Sequence, residues 1–391
     1  MKIFYVYYHS YDDMPMHVSD VIEELVEQKD NVHLFTSIRP SFLKDCTWRN
    51  RVQITNIPVF NIRFLNRLCY SFLLAMFLPF WCLKKRPDVI YERISFSTVL
   101  TVIIARFLAI PLISEVNGIT AEELKWSSKS LWRIKVTKVC ESFSLKHSSL
   151  VIAVTENIKE WLIRAYKIHP NKVEVVTNGT NIRRFYPRDV KEARTHFDLP
   201  TKDKFYVGYL GTLTPWCGVE LLIECAVRVL EKFPQVDFII GGGQEPYMSD
   251  FKFQVRQKGL QDHFRFYGNV PWARAGLFTN TFDIAIVSSV YHFSRGLSPL
   301  KLYSYLACNK PVIGSDRGEV GEVLRRYNVG LTFTSGDAES LGHKIIELLT
   351  NPKIRNEMGE KARQVVIENY SWTVKVSQLK RIIHRNISHN V

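Results

Sequence analysis

The chain has 391 residues, 46% of them apolar and 23% charged; this composition excludes a disordered or fibrous protein, and the length fits two α/β domains rather than one core. Its formal net charge of +14, from 52 Lys and Arg against 38 Asp and Glu, favours anionic partners such as phosphates, nucleic acid or acidic lipid headgroups. No RNA-binding aromatic signature, zinc-finger spacing or Lys/Arg-rich block concentrates that charge, so nucleic acid is set aside in favour of a diphosphate or a membrane surface.

Met1-Lys2 leads directly into strand-like IFYVYY, too short for a signal-peptide core, and a cytoplasmic protein is expected. The first loop carries His9 and His17 around Asp12 and Asp13. Such a grouping can bind metal, but two His this far apart on a loop read better as surface residues, and no metal is expected. Helical HVSDVIEELVEQ and strands VHLFTS and VQITNIPV precede a strongly apolar segment, LCYSFLLAMFLPFWCL, from Leu68 to Leu83. A spanning helix needs about 20 apolar residues. This segment is shorter, Pro79 interrupts it, and Arg63, Arg67, Lys84, Lys85 and Arg86 flank it. It reads as a core helix able to lie against a bilayer surface.

The alternation continues with DVIYER, FSTVLTVIIARFLA, PLISEVNG, LWRIKVTKVCESFSLKHS, LVIAVT, ENIKEWLIRAYKI and KVEVVTNG, as in a parallel sheet covered on both faces. Trp126, Trp132 and Trp161 are spaced for packing rather than for a carbohydrate platform. A charged, strand-free interval at 188–204 reads as a linker between a first domain, 1–187, and a second, 205–370. The second repeats the pattern with FYVGYLGTL, VELLIECAVRVLEKF, VDFIIGGG, FRFYGNV, DIAIVSS, PLKLYSYLACN, PVIGSD and LTF. The end, 371–391, has helical spacing and no following strand, so it must pack on a domain already built. Seven Cys without a Cys-x-x-Cys pair read as small core residues in a reducing cytoplasm.

Open parallel sheets bind ligands beyond the carboxyl ends of their strands. Gly211, Gly241-Gly242-Gly243 and Gly268 each follow a strand. One such Gly is ordinary turn chemistry; three in register let backbone amides converge on a phosphate. Neither GxGxxG at dinucleotide spacing nor GxxxxGK followed by Ser or Thr occurs, which argues against nicotinamide enzymes and P-loop ATPases. In SPLKLYSYLACNKPVIGSD, Ser298 to Asp316, a helix starts near Pro299. Lys301 either adds a cation to its first turn or stands as a solvated helix residue.

Together and in order, PDVIYER, PLISEVNGI, LVIAVTENIKEWL and VEVVTNGTNIRRFYP in the first half join VGYLGTLTPWCGVELLIECA, FIIGGGQE, YGNVP, SPLKLYSYLACNKPVIGSD and ENYSW in the second. By these motifs the whole chain resembles the retaining glycosyltransferases of family 4, glycosyl transferases group 1. The resemblance implies an α/β protein of the GT-B type: two Rossmann-like domains facing each other across a cleft, with the C-terminal helix crossing back to the N-terminal domain. It implies transfer of a sugar from a nucleotide sugar to an acceptor hydroxyl, with retention at the anomeric carbon and with neither metal nor cofactor. The donor would occupy 205–370, its diphosphate between Gly211-Thr212 and the helix start at Pro299, Leu300 and Lys301, its base over Gly242-Gly243. A glycan or lipid-linked acceptor would meet 1–187 near His17 and Asn117-Gly118. Glu115 and Asn117 read equally as acceptor contacts and as a solvent-facing acid beside a helix cap.

The family's Glu-x7-Glu pair falls here on Gly296 and Ser304, and its diphosphate-binding Arg and Lys on Thr212 and Cys217. Arg295 and Lys301 are the candidates to supply the missing charge, and Ser304 to bond a ribose hydroxyl. Two readings lead, ahead of a GT-B enzyme of another reaction type such as a sugar-nucleotide epimerase or a phosphorylase. One is an active transferase in cell-surface polysaccharide or glycolipid synthesis, peripheral on the inner face of the cytoplasmic membrane; the other is a catalytically impaired GT-B protein serving as a binding or partner subunit.

Overall fold

The computed structural model describes residues 1–8, 16–44, 46–58, 63–95, 98–127, 130–243, 245–289 and 298–387. The chain divides into two compact units, Met1–Thr177 with Lys375–Val391, and Asn178–Val374.

The first unit is built on parallel strands β1 (Lys2–Tyr7), β2 (Asn31–Thr36), β3 (Gln53–Asn56), β4 (Val89–Arg93), β5 (Leu112–Val116), β6 (Leu150–Ala153) and β7 (Val173–Val175). Their order in the sheet is β3-β2-β1-β4-β5-β6-β7. Strands apolar on both faces suit only a sheet covered on both sides, and β5 is buried along its whole length. The covers are α1 (Met16–Glu27), α2 (Arg63–Lys85), α3 (Thr98–Phe107), α4 (Thr120–Ser127), α5 (Leu131–His147) and α6 (Glu156–Tyr166). Right-handed crossovers put α1 on one face and α2, α3 and α5 on the other, where α3 packs against both α2 and α5.

Helix α2 continues through Pro79 in place of the expected interruption. Proline inside a helix costs about 3 kcal/mol, and burial of Tyr70, Leu74, Leu78 and Cys82 against Phe4, Val6 and Ile90 outweighs it. No helix of the described residues is long and apolar enough to cross a membrane. Trp161 packs edge-on against Tyr166. Trp132 is exposed at the start of α5, contrary to the packing its spacing suggests, and the side chain of Trp126 lies outside the described residues.

Where a linker is expected at 188–204, the second unit has a helix, α7 (Val190–His196). Asp189 caps it, accepting from the Glu192 amide at 2.8 Å. Buried Arg194 donates to Asp283 Oδ2 at 2.7 Å and to the Thr281 carbonyl, and lies 4.6 Å from the Tyr206 ring centroid. A charge that polarity alone assigns to solvent is thus clamped into the second core.

That core surrounds β8 (Phe205–Leu210), β9 (Val236–Gly241), β10 (Phe264–Gly268), β11 (Ile284–Val287), β12 (Val312–Ser315) and β13 (Gly330–Phe333), all parallel, in the order β10-β9-β8-β11-β12-β13. Helices α8 (Glu220–Lys232), α9 (Tyr247–Gln257), α10 (Trp272–Asn280), α11 (Leu300–Ala307), α12 (Gly318–Tyr327), α13 (Ala338–Thr350) and α14 (Pro352–Asn369) cover it. The last helix, α15 (Trp372–Ile387), belongs to the first unit from Lys375 onward. There Lys380 pairs with Asp30 at 2.7 Å, and Gln28 donates to Ser377 Oγ at 3.2 Å. All seven cysteines are free, with Cys82, Cys225 and Cys308 buried.

Candidate active site

Strand order reverses between β1 and β4 in the first sheet and between β8 and β11 in the second. Such a reversal leaves a crevice at the carboxyl ends of the strands, and the residues singled out by sequence fall at these two ends.

In the second unit the chain leaves β8 at Gly211, whose amide donates to the Gly241 carbonyl at 3.0 Å, while the Gly242 amide donates to the Gly268 carbonyl at 2.5 Å. The turns after β8, β9 and β10 are therefore laced together by backbone. Gly242 has φ +91°, and a Cβ there would stand 2.3 Å from the Gly211 carbonyl oxygen, so only glycine fits. Gly243 packs close to Leu213 and Met248.

Helix α11 brings Lys301 onto this turn. Tyr305 OH accepts from the Leu210 amide at 2.8 Å and donates to the Leu210 carbonyl at 3.1 Å, fixing the helix to the end of β8. Asn178 holds the entry: its Nδ2 donates to the Ser298 carbonyl at 2.9 Å and its amide to Ser298 Oγ at 3.3 Å. Among the described residues no side chain caps the helix start at Pro299, which leaves first-turn amides, including that of Leu300, and the positive end of the helix dipole beside the Lys301 ammonium. Lys301 Nζ donates to Tyr209 OH at 2.6 Å, lies 4.1 Å from that ring's centroid, and would be 2.7 Å from a Cβ on Gly211.

Burial pushes Lys301 below the usual lysine range, and Cys217 pulls it partly back. Burial pushes the Cys217 thiol up, but Lys301 and the hydroxyls of Thr212, Thr214 and Tyr209 outweigh it and leave the thiol below its ordinary value. Its Sγ lies 3.4 Å from Thr212 Oγ1 and 3.3 Å from Thr214 Oγ1. Ser304 is engaged within the protein: its Oγ donates to the Leu300 carbonyl at 3.0 Å and lies 3.1 Å from Thr180 Oγ1. Arg295 and Gly296 lie outside the described residues.

In the first unit, Arg93 at the end of β4 donates to Nε2 of buried His17, in the first turn of α1. Guanidinium has no acceptor, so the ring accepts there and carries its proton on Nδ1. Glu115 is Arg93's neighbour in the sheet register and accepts from Tyr91 OH and Asn117 Nδ2. Buried as it is, Glu115 is not the solvent-facing acid of one sequence reading; the strand ends enclose it. Burial and then Glu115 raise the Tyr5 and Tyr91 phenols well above their ordinary range.

The structure therefore gathers Gly211, Thr212, Cys217, Gly242, Gly243, Pro299, Leu300 and Lys301 at one strand-end crevice, and links His17 to Asn117 through Arg93 and Glu115 at the other. Sequence reasoning assigned no role to Arg93, Tyr91, Asn178, Thr180 or Tyr209. The signal available was their place at strand ends inside PDVIYER, VEVVTNGTN and VGYLGT.

The sequence model for glycosyl transferases group 1 matches residues 191–365, and that for glycosyltransferase family 4 matches residues 14–184. An uncharacterised glycosyltransferase of Methanocaldococcus jannaschii is 24% identical over 381 residues, covering 95% of this chain and 94% of that protein. A D-inositol 3-phosphate glycosyltransferase of Corynebacterium efficiens is 24% identical over 253 residues, 63% of this chain and 58% of that one. Among solved structures, sucrose-phosphate synthase from Thermosynechococcus elongatus is similar with a TM-score of 0.79 at 18% identity, covering 99% of both chains. Anabaena HepE in complex with UDP-glucose gives 0.79 at 17% identity, over 98% of this chain and 100% of that one.

Proposed function

The chain belongs to the GT-B glycosyltransferases, its first half matching family 4 and its second group 1, and we propose that it moves a sugar from a nucleotide sugar to an acceptor hydroxyl with retention at the anomeric carbon. The observation that carries this reading is the Lys301 ammonium folded over the Gly211 turn beside an uncapped helix start. A cation and free amides preorganised together suit the charge that builds on a departing nucleoside diphosphate. In this reading the diphosphate lies between Gly211-Thr212 and Pro299-Leu300-Lys301, with the base over Gly242-Gly243. Lys301 and the amides carry the leaving-group charge, and the step calls for no metal. That HepE is in complex with UDP-glucose supports a nucleotide-sugar donor here.

The acceptor is a glycan or lipid-linked sugar, met by the first unit around His17 and Asn117 and handled at the inner face of the cytoplasmic membrane during polysaccharide or glycolipid synthesis. Arg93 orients His17, and Glu115 orients Asn117.

A second reading, a binding or partner subunit that has lost catalysis, is favoured by Ser304. It stands where the family places an acid on the ribose, and its hydroxyl is bonded to Leu300 and close to Thr180. Thermal-shift titration of the purified protein with UDP, GDP, ADP and CMP sugars decides between the two. Saturable stabilisation by one nucleotide, about 2.7 kcal/mol at a hundredfold excess over Kd, supports a working donor site and names its base. Silence across the panel favours the partner subunit.

A further inference from the structure

Helix α2 is apolar on two opposite sides. Leu74, Leu78 and Cys82 face the sheet, whereas Phe72, Phe80 and Leu83 on the other side are exposed. A helix apolar all round belongs in a core or against lipid, and the described residues cover only one side of this one. The helices packed beside it expose apolar groups as well: Phe107 at the end of α3 is 88% exposed, and Leu131 and Trp132 at the start of α5 are 81% and 69% exposed. Because α3 packs against both α2 and α5, these side chains belong to one outer helical layer. Exposed apolar surface clustered in this way marks an interaction face.

Charge selects the occupant. The same three helices carry exposed Lys84, Lys85, Arg106, Arg133, Lys135 and Lys138. Their sequences contain a single acid, Glu141, which is buried and accepts from the Thr120 and Ala121 amides and from Tyr166 OH. A second copy docked through this face would set like charges against each other. A nucleic acid would use the cations and leave Leu83 and Phe107 in water. An anionic bilayer takes both, with the apolar groups at the acyl boundary and the ammonium and guanidinium groups among the headgroups. We propose that the outer face of α2, α3 and α5 seats this protein on an anionic phospholipid membrane. The proposal rests on the reading that the acceptor is handled at a membrane, and it names the surface and the lipid chemistry.

The test is co-sedimentation of the full chain with phosphatidylcholine vesicles that lack or contain phosphatidylglycerol. Binding is expected only with phosphatidylglycerol and weakens as salt is added. K84E/K85E/R106E/K138E is expected to lose on the order of a hundredfold or more in vesicle affinity. L83S/F107S is expected to lose affinity as well. Both variants should keep the wild-type thermal midpoint and nucleotide response, which shows that they fold. Absence of wild-type binding to the anionic vesicles, undiminished binding by the charge-reversal variant, or a wild-type dimer that L83S/F107S splits would each overturn the docking face. Wild-type binding to the anionic vesicles that both variants keep undiminished would sink this docking face and leave the membrane reading standing, so the two fail separately.

Discussion

Lys301→Met separates a cation that serves a ligand from one that holds the fold. The substitution keeps the aliphatic stem and removes the ammonium that donates to Tyr209 OH at 2.6 Å and stands 4.1 Å from its ring centroid. On the folding side, burial already pushes Lys301 below the usual lysine range, so the charged form carries a desolvation cost. The hydrogen bond and the cation–π contact return about 1–2 kcal/mol. A lysine whose folded pKa is lowered takes stability away at any pH below its unfolded value. The variant is therefore expected to be as stable as wild type at neutral pH, or slightly more so. On the binding side, a charge-assisted bond to a diphosphate contributes about 1.5–3 kcal/mol, so nucleotide affinity should fall roughly ten- to hundredfold. Scanning fluorimetry without ligand and calorimetric titration with the preferred nucleoside diphosphate read the two sides separately. A variant that melts several degrees lower while keeping its nucleotide affinity would refute the reasoning, since Lys301 would then be a structural strut.

Three further outcomes are expected. Gly242→Ala puts a Cβ 2.3 Å from the Gly211 carbonyl oxygen at φ +91° and should cost about 3 kcal/mol or more; a urea midpoint close to wild type would contradict the close packing of these turns. Lys310, buried with Nζ donating to the Asn280 carbonyl at 3.0 Å, is pushed by burial from 10.5 down to about 8. Between those values the unfolded chain keeps a proton that the folded chain has released, so this group makes stability rise with pH, by up to about 3 kcal/mol. Lys310→Met should lose that rise, and parallel stability-versus-pH curves for the two proteins would count against it. Cys217, its thiol held below the ordinary value with Lys301 beside it, should react with iodoacetamide before Cys82 and Cys308, which burial pushes to about 12. Bound nucleotide should slow that reaction, and peptide mass spectrometry reports the order.

Strand and helix alternation was legible because each element is encoded by residues only a few positions apart. IFYVYY, VDFII and DIAIV are apolar runs bounded by turn residues, and they form β1, β9 and β11. The glycine turns were legible for the same reason: Gly242 holds a φ that other residues resist, and its neighbours in sequence are the strand it ends. Pro79 was misread because local propensity counts the lost hydrogen bond and not the sheet packing that outweighs it. The helix within 188–204 was not legible because Arg194 looks solvated until Asp283, 89 positions later, comes to its side.

By itself, then, the sequence determined the two Rossmann-like halves, the glycine turns that end their strands and the family to which the chain belongs, all of which rest on local chemistry and ordered motifs. Only the tertiary structure decided that Lys301 lies over Gly211, that Ser304 is engaged by Thr180 124 positions away, that Glu115 is enclosed beside Arg93, and that one side of α2 stays bare. A charge, a hydroxyl or an apolar side chain finds its partner across long stretches of intervening chain, and no spacing within one segment records what folding will bring against it.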